Sequence, residues 1–218
     1  MTIALDTAAA PQHRAAPAHP PDFEALVGRE GWWRLPAAVR ARFSEHPTPA
    51  APIRYRGVMQ RVECSWLGWL LAQFCRLFGT PFAPWRGRDV PVAITLRHDP
   101  DGGVTWEREY RYPHRAITVS STKRVDETGA LRECVGGGFG MRLAVFEAGG
   151  ALHFLSLRYF LALGRWQLWL PALLSPGVAH VIHEDLGGGR FRFAMTFHHA
   201  LFGRLFLQDG VFQREGEL

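Results

Sequence analysis

Apolar and polar positions alternate with a period of two through most of the chain beyond Ile53. In "GVTWEREYRYP", Val104, Trp106, Arg108, Tyr110 and Tyr112 share one face, and Thr105, Glu107, Glu109 and Arg111 share the other. The second set is a solvated face, and the first is a core face carrying a guanidinium among aromatic rings. "VPVAITLRHD" turns at "PDGG" into this strand, "RAITVSSTKRVD" turns at "ETG" into "ALRECVG", and "GMRLAVFEA" turns at "GG" into "ALHFLSLRYFLA". "VAHVIHEDL" turns at "GGG" into "RFRFAMTFHH", "IRYRGVMQRVEC" reads as a first strand, and "GRLFLQDGVFQR" closes the series. Short glycine turns between alternating segments predict hairpins and an antiparallel sheet. No βαβ alternation points to a parallel one. "LGRWQLWLPALLSPG" breaks the alternation and is predicted to be a loop, a mobile flap over the open end of the sheet.

A helical period appears in three places. Asp22 can cap "FEALVG", and Pro36 opens "LPAAVRARF", where Leu35, Val39 and Phe43 share a face. "SWLGWLLAQFCRLFG" is predicted to be a helix capped by Ser65 and stopped by Gly79 and Pro81. Trp66 and Trp69 make it apolar nearly all round, which predicts a helix buried under the sheet; the alternatives are a membrane-surface helix or a cavity lid. Residues 1–20 are Ala, Pro and His with little to bury and are predicted to be a disordered tail, leaving 21–218 as one domain. The expected fold is α+β: N-terminal helices followed by a curved, mainly antiparallel β-sheet or incomplete barrel.

Composition narrows the function classes. Hydrophobic residues make up 47% and charged ones 21%, as in soluble globular proteins. Fifteen Phe and eight Trp exceed ordinary packing needs, so some are expected at a cavity or interface. The formal charge of +5 comes from arginines spread along the chain, with Lys123 the only lysine. No basic block suggests nucleic acid as a partner. Cys64, Cys75 and Cys134 lack metal-type spacing, and their odd number argues against a disulfide framework, so a reducing cytoplasm is expected. The N-terminus lacks the features of a signal peptide, and no apolar run approaches the ~20 residues of a membrane span, so stable membrane insertion is not expected.

The candidate site follows from polar residues on apolar faces. Glu133 shares a face with Leu131 and Val135, Glu184 with Val178, His180, Ile182 and Leu186, and His199 with Phe191, Phe193, Met195 and Phe197. An isolated buried charge is costly, so Arg108 requires an anionic partner or a wet cavity. Glu133 is the first candidate partner and Glu184 the second. Three readings stay open: a structural Arg–Glu pair, an anchor for a ligand's carboxylate or phosphate, and acid–base chemistry by Glu133 or Glu184. The glycines of "ECVGGGFGMRL" do not fit a dinucleotide fingerprint, and His180 and His183 in "HVIHE" point to opposite faces of a strand. Neither a cofactor nor a metal is expected, and no nucleophile elbow is present.

With these residues placed, the chain resembles a bacterial family known as domain-of-unknown-function family 4166. The landmarks are "LVGREGWWRLPAAVR", "YRGVMQRV", "PVAITLRHD", "TWEREY", "LRECVG", "LPALLSPGVAHVIHE" and "FHHALFGRLFLQDGVF", spanning Phe23 to Phe212. The resemblance implies a domain found alone or C-terminal to saccharopine-dehydrogenase-like or epimerase-like domains. It implies no catalytic roles, and it places the Trp106–Tyr110 segment, Glu133 and Glu184 in the family pattern.

The expected function is non-enzymatic: a binding or accessory domain for an apolar or amphipathic small molecule with an acidic head group. Its expected ligand-binding residues are Trp106, Arg108, Tyr110, Glu133, Glu184 and His199. The alternatives are an enzyme using Glu133 or Glu184 as acid or base, and a structural partner of a separate dehydrogenase with Trp85, Trp166 and Trp169 at the interface.

Overall fold

The computed structural model describes residues 20–76, 85–164, 166–171 and 175–216. Helices α1 (Phe23–Val27), α2 (Arg29–Arg34) and α3 (Ala37–Ser44) precede strand β1 (Ile53–Cys64). Helix α4 (Trp66–Arg76) leads to β2 (Gly87–Asp99), β3 (Gly103–Tyr112), β4 (Arg115–Val125) and β5 (Leu131–Cys134). Strands β6 (Phe139–Ala148), β7 (Ala151–Leu163) and β8 (Trp166–Trp169) follow. Strands β9 (Val178–Gly187), β10 (Arg190–His199) and β11 (Gly203–Arg214) complete the fold. The predicted tail lies almost wholly outside the described residues, as do Gly79 and Pro81, the predicted stop of α4.

Every pairing is antiparallel, in the order β6-β5-β4-β3-β2-β1-β11-β10-β9-β7-β8, and β6 also pairs with β7. That last pairing closes ten strands into a barrel. The first half of β7 faces β9, with Leu152 opposite His183, and its second half faces β8, with Phe160 opposite Trp169. Strands hold 60% of the residues and helices 15%, so the fold is mainly β and closed, which corrects the expected α+β class and the incomplete barrel. Glycine turns disclosed the hairpins, such as Gly149–Gly150, whose φ values of 60° and 77° suit a tight two-residue turn. Closure depends instead on β1 pairing with β11 and β7 with β9, contacts between distant segments that no local pattern encodes.

The two ends of the barrel differ. Helices α1–α3 plug one end, burying Phe23, Trp32, Leu35, Val39 and Phe43. Asp22 caps α1 by accepting from the Ala25 amide at 3.1 Å. The Phe43 ring reaches the interior, 5.0 Å from the His183 ring and 5.8 Å from Phe154.

Helix α4 sits at the opposite end, capped by Ser65, whose Oγ accepts from the Gly68 amide at 3.0 Å. It presses on β11 so closely that a Cβ at Gly68 would lie 2.5 Å from the Leu205 carbonyl oxygen. Ala72 is buried and Leu67 and Leu71 pack on the core, but Trp66, Trp69 and Leu70 face solvent. The expectation of a buried helix therefore holds for one face only.

The predicted flap is also corrected in part. Trp166–Trp169 is a strand hydrogen-bonded to β7, while residues 165 and 172–174 lie outside the described residues. The outer wall carries ion pairs such as Arg97–Glu107 and Arg111–Glu109. Charges there mark a wall that faces water, unlike the apolar outer band of a transmembrane barrel. Among the described residues no helix is long and apolar enough to cross a membrane.

Candidate functional site

The barrel encloses a cavity of about 140 Å³. Its wall is built by inward side chains of the strands, among them Trp106, Arg108 and Tyr110 of β3 and Phe193, Met195 and Phe197 of β10. Leu71 of α4, Gly136, Leu170 and Pro176 line it toward the end opposite the helical plug. The volume is close to that of an apolar protein cavity that takes up benzene, ~150 Å³. A ring or a short hydrocarbon segment is therefore the scale of occupant that fits without rearrangement.

A polar cluster interrupts the apolar wall. Lys123 of β4 stands directly opposite Glu133 of β5, and its Nζ donates to Glu133 Oε1 at 2.9 Å. The Ser121 hydroxyl donates to the same oxygen at 2.6 Å. Burial pushes the Glu133 carboxyl upward, but Lys123, Arg108 and Ser121 together outweigh it and hold it below the usual carboxylate range. Burial pulls Lys123 below the usual lysine range, against the opposing attraction of Glu133. On β3, Tyr110 donates to Gln208 of β11 at 2.7 Å, and burial raises its phenol.

Arg108 is the group left over. Its Nη1 reaches only the Ser121 hydroxyl, at 3.4 Å, and its buried Nε has no hydrogen-bond partner. The guanidinium lies 5.9 Å from the Trp106 ring and 5.7 Å from Phe193, a loose cation–π setting rather than an ion pair.

Deeper in the cavity, His183 is enclosed by the rings of Phe43, Phe154, Phe191, Phe193 and Trp106. Its Nδ1 is also without a partner. Burial first, then the cations Arg42, Lys123 and Arg108, keep it well below the usual histidine range, so the ring is neutral. Arg42 of α3 stacks on Phe191 at 4.0 Å, and burial draws it down to about 10.

Four of the six expected site residues, Trp106, Arg108, Tyr110 and Glu133, meet in this cavity. Glu184 does not, because β9 runs one residue out of phase with the reading. Ala179, Val181 and His183 face inward, and Glu184 pairs with Arg192 at 3.3 Å outside. The expected face of β9, with Val178, Ile182 and Leu186, was the more aliphatic one, yet Val178 and Leu186 are solvent-exposed. His199 is buried, but at the β10–β11 turn, where its Nδ1 accepts from the Leu201 amide at 3.1 Å and its ring stacks on Phe202. It serves the turn rather than the cavity wall.

The expected Arg108–Glu133 pair is replaced by Lys123–Glu133. Lys123, Ser121 and His183 are among the polar cavity residues that the sequence reading missed, with Tyr159. A signal for Lys123 existed: it is the chain's only lysine, and it alternates with Val119 and Ser121. Among the described residues no group of three or more His, Cys, Asp or Glu side chains could hold a metal ion.

The family model described as a domain of unknown function (DUF4166) matches residues 35–212. No curated protein and no solved structure matches the chain.

Proposed function

The chain belongs to that family, which assigns no activity, and from the site's own geometry we propose that the barrel binds an amphipathic small molecule with an acidic head group at Arg108. One observation carries the reading. The charge of Glu133 is already met by Lys123, so Arg108 stands in an apolar cavity with no carboxylate bound to it. A guanidinium so placed favours a carboxylate or phosphate, which it can hold by two parallel hydrogen bonds. The aromatic and aliphatic wall from Arg108 to Leu170 supplies the apolar contact for the rest of the molecule. Acid–base catalysis draws less support. A carboxylate held below its usual range is a poor proton donor at neutral pH, and Glu184 lies outside the cavity.

Octanoate and 1-octanol form a matched pair of probes, alike in chain and different in charge. Isothermal titration of the full chain is expected to show octanoate binding more tightly than octanol. Arg108→Met is expected to weaken octanoate roughly tenfold or more, the scale of one charge-assisted hydrogen bond, and to leave octanol nearly unchanged. Equal affinity of the two probes, or octanoate binding unaffected by Arg108→Met, refutes the assignment. Native mass spectrometry of freshly purified protein would then identify any natural occupant by mass.

A further inference from the structure

Exposed apolar side chains collect at the end of the barrel that lies opposite the helical plug. Trp66 and Trp69 project from α4, Trp166 and Leu168 from β8, and Leu201 and Phe202 from the β10–β11 turn. Trp66, Trp166 and Leu201 are 67%, 66% and 69% exposed. Antiparallel order brings these three segments together, because β1, β7 and β10 all end on this side. Soluble proteins seldom leave several large apolar groups in one zone unless it meets a partner.

The charge of the same end is one-sided. Arg61, Arg86, Arg88, Arg115, Arg158 and Arg204 are exposed around it, against the carboxylates Glu63 and Asp89, while Arg111 and Glu109 cancel as a pair. Tryptophan and leucine ringed by arginine is the composition of a surface that rests at a lipid headgroup boundary, with the aromatic groups dipping in and the cations on phosphates.

We propose that this end of the barrel docks on an anionic membrane surface, with the charged outer wall remaining in water. A second copy of the chain fits less well. A two-fold contact through this end would set the arginines of one copy against those of the other, whereas an anionic bilayer neutralises them. The proposal does not depend on what the cavity holds.

Co-sedimentation of the full chain with vesicles tests it. Vesicles of phosphatidylcholine with a third phosphatidylglycerol are expected to carry the protein down at low salt, and vesicles of phosphatidylcholine alone are not. Binding should weaken as salt rises. The double variant Trp66→Glu/Trp166→Glu is expected to lower partitioning roughly tenfold or more, the loss of one to two apolar contacts. Both side chains are mostly exposed, so its melting temperature should match wild type.

The proposal is overturned by no sedimentation with the anionic vesicles, by unchanged sedimentation of the double variant, or by equal sedimentation with neutral vesicles. Self-association that Trp66→Glu abolishes, seen by analytical ultracentrifugation without vesicle binding, would assign the surface to a second copy and also overturn it. Neither tryptophan lines the cavity, so octanoate titration of the same variant separates failure of docking from failure of the ligand assignment.

Discussion

Lys123 and Glu133 face one another across β4 and β5 as a direct cross-strand pair, and their side chains are only 8% and 9% exposed. Both ions have left water, and the cost of that is offset by their contact and by the Ser121 hydroxyl. The pair bridges two neighbouring strands and cancels its own charge, leaving Arg108 as the cavity cation with no carboxylate bound to it. Lys123 takes the carboxylate that Arg108 would otherwise hold.

Removing one member of such a pair strands the other. Lys123→Met is expected to destabilise the fold by about 3–5 kcal/mol, and Lys123→Met/Glu133→Leu to recover much of that loss, since apolar replacement of a whole buried pair is often near neutral. Arg108→Met should cost clearly less than Lys123→Met, because no buried carboxylate loses its hydrogen-bonded cation. Urea unfolding of wild type, Lys123→Met, Glu133→Leu, the double variant and Arg108→Met measures this. Additive losses in the Lys123–Glu133 cycle, or a larger loss for Arg108→Met than for Lys123→Met, would contradict the pairing.

Strand β8 is the subject of the next prediction. Its four residues hydrogen-bond along the outer half of β7, and the Leu170 amide donates to the Tyr159 carbonyl at 2.9 Å. A short strand at an edge opens more readily than one held on both sides. Amide exchange at Leu168 and Leu170 is expected to be slower than in an open loop and faster than at Phe154, which lies between β6 and β9. Exchange at the open-loop rate would restore the mobile-flap reading.

How far the sequence disclosed this protein depends on which residues are asked. Val104 to Tyr112, Leu131 to Val135 and Phe191 to Phe197 each had one clearly apolar face, and inward orientation followed from period two alone. Strand β9 has aliphatic groups on both faces, so a single-residue shift placed Glu184 inside and hid His183. Lys123 was passed over because a lysine is ordinarily at the surface, although its solitary place in an arginine-rich chain was visible. The fold class failed for a different reason. Helices α1 and α3 were legible and α2 (Arg29–Arg34) was not, but nothing local says whether the last strands meet the first.

His183 makes the protein acid-sensitive in a range set by its environment. Its native pKa lies well below the ordinary 6.5, because burial and the cations Arg42, Lys123 and Arg108 oppose a second proton. The unfolded chain takes that proton as pH falls below 6.5 and the native chain does not, so the unfolded state is favoured. The stability contribution is thus fully present above 6.5 and is lost as pH drops toward the lower native value. One group of this kind gives a slope of up to about 1.4 kcal/mol per pH unit. His180 acts in the same direction, lowered by burial and by His153, but it is largely solvated and its share is smaller. Glu133 adds a further loss only below its ordinary 4.5, since its native value is also depressed. Urea unfolding from pH 7.5 down to about 5 should therefore show wild-type stability falling below 6.5, and His183→Phe should flatten most of that fall. A phenyl ring suits the surrounding cage of Phe43, Phe154, Phe191 and Phe193. His180→Gln should leave most of the fall in place. A slope unchanged in His183→Phe would mean that this imidazole accepts its proton inside the folded barrel.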